Sequence, residues 1–206
     1  MELIILFEGG LTLKKKITLS ICLLVMIFGG LYYFTIYSTV HEIKIHADYV
    51  TYNTEDQLSN DADIILYGTP KDKFEDREHV NKFQNGTLLD FYTLTDFNVQ
   101  EVIKNSTTLT INKSDSFKVI EPAGMIQEID GKKILEMDAY KPMNQDNNYV
   151  IFLKNNGIGG YSIINMSNGA FNMDETKSSI SSEGIDNEKH SEIKKSVKKK
   201  YSKFIH

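Results

Sequence analysis

At 206 residues the chain holds one ordinary domain plus accessories, and 41% hydrophobic with 25% charged residues excludes a low-complexity or disordered chain. The formal net charge of −5 is uneven: residues 40–192 carry 14 Lys/Arg against 26 Asp/Glu, whereas residues 193–206 carry six Lys and no acid. The bulk is therefore a poor partner for nucleic acid, whose phosphates need clustered cations. A single cysteine, Cys22, excludes an intramolecular disulfide framework.

Residues 1–12 precede a basic cluster, Lys14-Lys15-Lys16, of the kind that opens an export signal. Glu8-Gly9-Gly10 is encodable by a bacterial ribosome-binding sequence and Leu13 by the alternative start codon TTG. The preferred reading is that translation starts at position 13 and residues 1–12 are an over-extended gene assignment; the other reading is a short cytoplasmic tail. Ile17 to Tyr37 is charge-free and long enough for a bilayer-spanning helix, which needs about 20 residues. Tyr32, Tyr33, Phe34 and Tyr37 crowd its end, where amphipathic rings favour the interface. The lysines at its start place the N-terminus in the cytoplasm and the rest outside. The run is longer than the core of a cleavable signal, and no small-x-small site follows it, so an uncleaved anchor is expected. The LSIC stretch ending at Cys22 is a poor lipoprotein box, because Ile21 stands where a small residue is needed.

Residues 38–50 are expected to form a stalk, and His41 and His46, five apart, do not suit a helical metal pair. Residues 51–61 predict a short helix or turn with Thr54 as N-cap and Gln57 three residues on. Asp63–Thr69 predicts a strand. The polar stretch 71–87 is expected to be a long surface loop that includes an Asn85-Gly86 turn. Phe91–Ile103 alternates, with Thr93, Thr95, Phe97 and Val99 on one face, until the apolar phase moves to Val102. A bulge near Glu101 explains that shift. Ser116–Glu121 predicts a strand stopped by Pro122. Ile126–Met137 predicts a hairpin about Asp130-Gly131. Tyr149–Leu153, apolar throughout, predicts a central strand. Residues 157–160 are a hairpin connection, and no helix follows them as a phosphate-binding loop requires. Tyr161–Ile164 and Ala170–Met173 complete the set.

Six or seven short strands from about 47 to 175 without a long helix mean a sandwich or small barrel. Phe97, Val99, Val102, Val150 and Phe152 are the expected core of one barrel. After a Ser-rich linker at 176–185, residues from 186 to 206 predict a basic amphipathic helix with Ile193, Val197, Tyr201 and Phe204 on one stripe. It either docks on the domain or touches anionic lipid or cell-wall polymer.

The succession Ala62–Gly68, then Tyr92 and Phe97–Lys104, Phe117–Gly124, Tyr149–Leu153 and Gly169-Ala170-Phe171 resembles the netrin-like OB-fold module, the barrel of tissue inhibitors of metalloproteinases. It is also similar to small membrane-anchored or secreted proteins of Gram-positive bacteria built on that plan. The likeness covers about residues 58–174 and lies in hydrophobic order and spacing. It implies a mainly β fold: an OB-like barrel preceded by one transmembrane helix and followed by a C-terminal helix. The animal inhibitors hold a protease zinc through an N-terminal cysteine; this domain has none, so that activity is not implied.

The chemistry-bearing residues are sparse. No G-x-S-x-G or D-x-D-x-D-G pattern occurs. His79 is expected to be solvated in its loop. The carboxylate pairs Asp61/Asp63, Asp72/Asp76 and Glu136/Asp138 are what any acidic domain offers. Phe91, Tyr92 and Phe97 suggest a stacking platform, which the acidic balance opposes in favour of core packing. No catalytic, cofactor-binding or metal residue is assigned, and no cofactor is expected. The leading expectation is a non-enzymatic, membrane-tethered module that binds an extracytoplasmic protein or cell-wall polymer through its barrel rim and the 71–87 loop. The alternative is a cell-wall-associated hydrolase or an accessory subunit of one, which would need titratable groups converging in one cleft with shifted pKa values.

Overall fold

The computed structural model describes residues 13–138, 140–174 and 187–205. The expected over-extension at 1–12 and the linker at 176–185 lie outside the described residues. The chain divides into two compact units. One runs from the apolar helix to His41 and includes Gln127–Lys132; the other holds Glu42–Ile126 and the chain from Lys133 onward.

In the first unit, α1 (Leu13–Tyr32) continues into a π-helical turn at Tyr33–Tyr37. Together they make one helix long and apolar enough to cross a membrane. The widened turn has a local cause. Thr35 and Ser38 hydroxyls donate back to the carbonyls of Leu31 and Phe34 at 2.7 and 3.2 Å, which loosens the α ladder. The tip residues 127–132 sit against this end. Tyr32 Oη donates to the Ile129 carbonyl at 2.5 Å, Gln127 Nε2 to the Tyr37 carbonyl at 3.1 Å, and the Lys132 amide to the Thr39 carbonyl at 2.7 Å. Gly131, at φ 130°, is required there: a Cβ would lie 2.6 Å from Thr39 Oγ1.

Strand β1 (Val40–Ile45) follows, so the expected stalk at 38–50 contains a strand. In the second unit, α2 (Glu55–Asp61) starts as its sequence predicts. Thr54 Oγ1 accepts from the Gln57 amide at 3.2 Å, and Gln57 Oε1 reaches back to the Asn53 amide at 2.9 Å. The strands are β2 (Ile64–Pro70), β3 (Glu78–Gln84), β4 (Thr87–Asn105), β5 (Ser116–Glu121), β6 (Ala123–Glu128), β7 (Gly131–Met137), β8 (Tyr149–Asn155), β9 (Tyr161–Ile163) and β10 (Ala170–Asn172). The helix α3 (Asn187–Lys200) follows, succeeded by a 3-10 turn at Ser202–Phe204.

Five strands close into a barrel, each paired with the next in the circuit β2-β4-β5-β9-β8 and back to β2. Counting only those strands, the order is 1-2-3-5-4. All pairings are antiparallel except β5 with β9, which meet in parallel at Ile120 and Ser162. The result is a small OB-like barrel flanked by helices. β10 adds to β8, and β7 runs between β1 and β6 in a separate three-stranded sheet.

β4 shows why the alternation was readable. Thr93, Thr95, Phe97 and Val99 are buried while their neighbours are not. Its register against β2 slips twice, from Lys104 to Val102 and from Glu101 to Val99, which leaves Ile103 and Gln100 unpaired. These bulges flank the predicted position. Beyond them Val102 packs toward the barrel interior and Ile103 toward the outer layer.

The core has two layers. Ile64, Leu66, Phe97, Val99, Ile151 and Leu153 fill the barrel. Ile65, Tyr67, Val150, Phe152 and Phe171 face outward and are covered by Leu58 of α2 and by Ile193, Val197 and Tyr201 at the end of the chain. Val150 and Phe152 are therefore buried, but outside the barrel rather than in it. A strand covered on both faces reads as a continuous apolar run, and β8 has that run. The C-terminal helix is thus docked. Tyr201 Oη and Lys200 Nζ both donate to the Glu55 carboxylate, at 2.5 and 2.6 Å.

The 71–87 segment differs from the expected loop. It contains β3, which pairs with β4 alone through a turn in which Asn85 and Gly86 have φ of 51° and 78°. Its polar sequence, EHVNKFQ, hides a strand that uses backbone pairing and only partial burial.

Candidate functional site

The residues singled out in the sequence are placed in structural roles. His79 is half-buried rather than solvated. Thr93 Oγ1 donates to the Ala123 carbonyl at 2.7 Å, so it accepts from His79 Nδ1 at 2.9 Å. Burial pushes the imidazole below its ordinary pKa. Asp61 accepts from Lys154 Nζ at 2.5 Å and from the Tyr52 hydroxyl, while Asp63 accepts the Asn155 amide at 2.8 Å. Asp138 binds His46 Nδ1 and the Ala47 amide, each at 2.9 Å. The three carboxylate pairs do not converge on one cleft. Among the described residues no three His, Cys, Asp or Glu come together as a metal set.

Among the depressions on the second unit, two gather charged or aromatic side chains. The first, of about 550 Å³, is lined by Glu42, Glu136, Lys141, Ser167 and His190 among others. Lys141 Nζ donates to Glu136 at 2.8 Å and to Glu42 at 2.7 Å. Burial raises the Glu136 pKa in spite of that cation. Burial by itself would lower Lys141, but the hydrogen bonds it donates to the two carboxylates more than reverse it, and its pKa is raised. Lys141 thus joins Glu42 and Glu136 in a closed triad. His190, at the edge, lies stacked on Phe171 with ring centroids 5.1 Å apart and Nδ1 2.8 Å from Asn168 Oδ1.

A buried network near this depression is saturated as well. The Glu121 carboxylate accepts from Arg77 Nη1 at 2.6 Å, from Tyr140 Oη at 2.7 Å, from the Met143 amide at 2.9 Å and from the Thr95 hydroxyl. Arg77 also donates to the carbonyls of Asp72 and Met143. This network ties the 72–77 and 140–143 segments to β4 and β5. Every acceptor site of the carboxylate is directed at a structural donor.

The second depression is a groove of about 720 Å³ across β4, β5 and β9. Tyr92 and Leu94 come from β4, Phe117 and Ile120 from β5, Tyr161 from β9, and Ile158 from the β8–β9 turn. The Phe117 and Tyr161 rings are 5.7 Å apart and inclined at 57°. Ile158, at the apex of the Gly-rich turn, is 81% exposed. The charged residues lining the groove are Asp90 and Lys118, one of each sign. Lys82 Nζ lies 5.2 Å from the centre of the Tyr92 ring. Of the aromatics proposed as a platform, Phe97 is fully buried in the barrel and Phe91 is buried beside the groove, so Tyr92 is the ring available from β4. Sequence reading missed Phe117, Tyr161 and Ile158. Ile158 carried no signal of its own, since single exposed apolar residues are ordinary on a protein surface.

The arrangement supplies flat aromatic and aliphatic contact with little charge. It suits an uncharged or apolar ligand surface. No protein-family profile, curated protein or solved structure matches the chain.

Proposed function

We propose that this chain is a membrane-anchored, extracytoplasmic binding module without catalytic activity, of the netrin-like OB type found in Gram-positive bacteria, which holds an apolar segment of another extracytoplasmic protein in the groove across β4, β5 and β9. The observation that carries the reading is the groove itself: three aromatic rings on the second, third and fifth strands of an OB-like barrel, roofed by the turn between the fourth and fifth with its exposed Ile158. Barrels of this topology bind through that strand face and those loops. The near absence of charge favours a protein segment over a polyanionic wall polymer, and the surplus of acid over residues 40–192 argues against nucleic acid. The basic cluster at Lys14–Lys16 supports an N-terminus in the cytoplasm and a domain outside.

A photo-crosslinking residue at position 158, activated in intact cells, tests the reading. A discrete adduct is expected at position 158 that is lost in the Tyr161→Ser chain and is absent when the crosslinker is moved to position 85. An adduct pattern independent of position would overturn it. The hydrolase alternative draws on the Glu42, Glu136 and Lys141 depression. Glu136→Gln would abolish wall-polymer cleavage if that reading held, and leave the crosslink unchanged under the binding reading.

A further inference from the structure

The tip of the β6–β7 hairpin has an unusual position. Ile129, at its apex, is 81% exposed, and its carbonyl accepts the hydroxyl of Tyr32, the last residue of α1. Tyr32 lies 16 residues past Lys16, about 24 Å along an α-helix at 1.5 Å per residue. The apolar layer of a bilayer is about 30 Å thick, so the stretch from Tyr32 to Tyr37, about 24 to 31 Å past Lys16, reaches its outer border, where aromatic rings gather. The hairpin tip is fixed at that same level by further contacts: Gln127 to the Tyr37 carbonyl, the Lys132 amide to the Thr39 carbonyl, and the close approach of Gly131 to Thr39. The helix deforms into a π-turn at the point where the hairpin meets it, and such turns cluster at functional positions.

We propose that the β6–β7 tip is a second membrane contact, with the Ile129 side chain inserted among lipid headgroups beside the helix exit. Glu128 and Asp130 on either side hold it at shallow depth, because carboxylates stay in the hydrated layer. The lipid surface is the natural occupant, since the tip is hydrogen-bonded to the stretch of the helix that reaches that border. The inference rests on the reading that the helix from Leu13 to Tyr37 crosses the membrane.

The test uses the full chain with Cys22→Ser, carrying either Ile129→Cys or Phe34→Cys labelled with an environment-sensitive fluorophore, in phosphatidylcholine–phosphatidylglycerol vesicles. Emission is read with and without lipid bearing a shallow nitroxide, and with aqueous iodide. The label at 129 is expected to lose emission to the nitroxide lipid to an extent comparable to the label at 34, and to be shielded from iodide. If the label at 34 is quenched by lipid while that at 129 answers only to iodide, the hairpin proposal is overturned and the spanning helix stands. If neither is quenched by lipid, the spanning helix fails and takes the proposal with it.

Discussion

Lowering the pH should release the C-terminal helix, and His190 is the reason. Its ring is buried between Phe171 and the Asn168 side chain, and burial, reinforced by the nearby Lys194 ammonium, pushes its pKa from 6.5 down to about 4. In the docked state the imidazole is therefore neutral through the range in which the undocked one charges. Below pH 6.5 the undocked state binds the proton more readily, so docking weakens progressively until about pH 4. The linkage between those two values gives a loss of about 1.8 kcal/mol at pH 5 relative to pH 7, or about a twentyfold rise in opening. Amide hydrogen exchange over 187–205, corrected for intrinsic rate, reads this directly. The wild-type tail is expected to open about twentyfold more at pH 5 than at pH 7. His190→Gln, which keeps a hydrogen-bonding group but cannot charge, is expected to be flat across the same range. Equal pH dependence in the two chains would refute the reasoning and assign the effect to the carboxylates under the helix.

Three further outcomes follow from the packing. Phe97→Ala removes a fully buried ring from the barrel and should cost about 3–5 kcal/mol, read as a lowered urea midpoint. Glu121→Ala strands the Arg77 guanidinium, whose side chain is 1% exposed, and should cost about 3–5 kcal/mol, and Arg77→Met with Glu121→Leu should recover only part of it, because the Tyr140 hydroxyl and the Met143 amide lose their acceptor. Tyr201→Ser with Phe204→Ser should expose the tail to protease, since the buried Tyr201 ring contributes roughly 1.5–3 kcal/mol and the partly buried Phe204 ring somewhat less. Changing Lys195, Lys199 and Lys203 to Gln should leave it docked. Even Lys200, which holds Glu55 and Asp56, is 43% exposed on its side chain and should contribute only about 0–1 kcal/mol. Tail release by the lysine changes alone would replace docking by electrostatic capture.

The legible parts of this fold are those where one face of an element is wet. β4 alternates because its outer face is only partly covered, and the stripe of α3 stands out because lysines surround it. Turns with left-handed residues, such as Asn85-Gly86, announce themselves by composition. β8, covered on both sides, showed that it was a strand but not which residues pointed inward, hence the assignment of Val150 and Phe152 to the barrel. β3 was hidden because a strand paired with one neighbour and half exposed has no apolar pattern to show. The groove was beyond reach for a different reason. Phe117 and Tyr161 meet across the closing pair of strands, 44 residues apart, and Arg77 and Glu121 are as far apart in sequence. No local period encodes a contact made by closure of the barrel.

That closure hangs on little. β5 and β9 share one parallel pair, Ile120 with Ser162, while the other junctions of the circuit each contain three or more. The ring of strands therefore has a seam, and in the native ensemble the amides of β9 should exchange sooner than those of β8, through local opening rather than global unfolding. Ile120 and Ser162 also line the groove. A molecule lying there bridges the seam from both sides, so that occupancy and closure become a single equilibrium: each bound ligand acts as a stave that the barrel otherwise lacks.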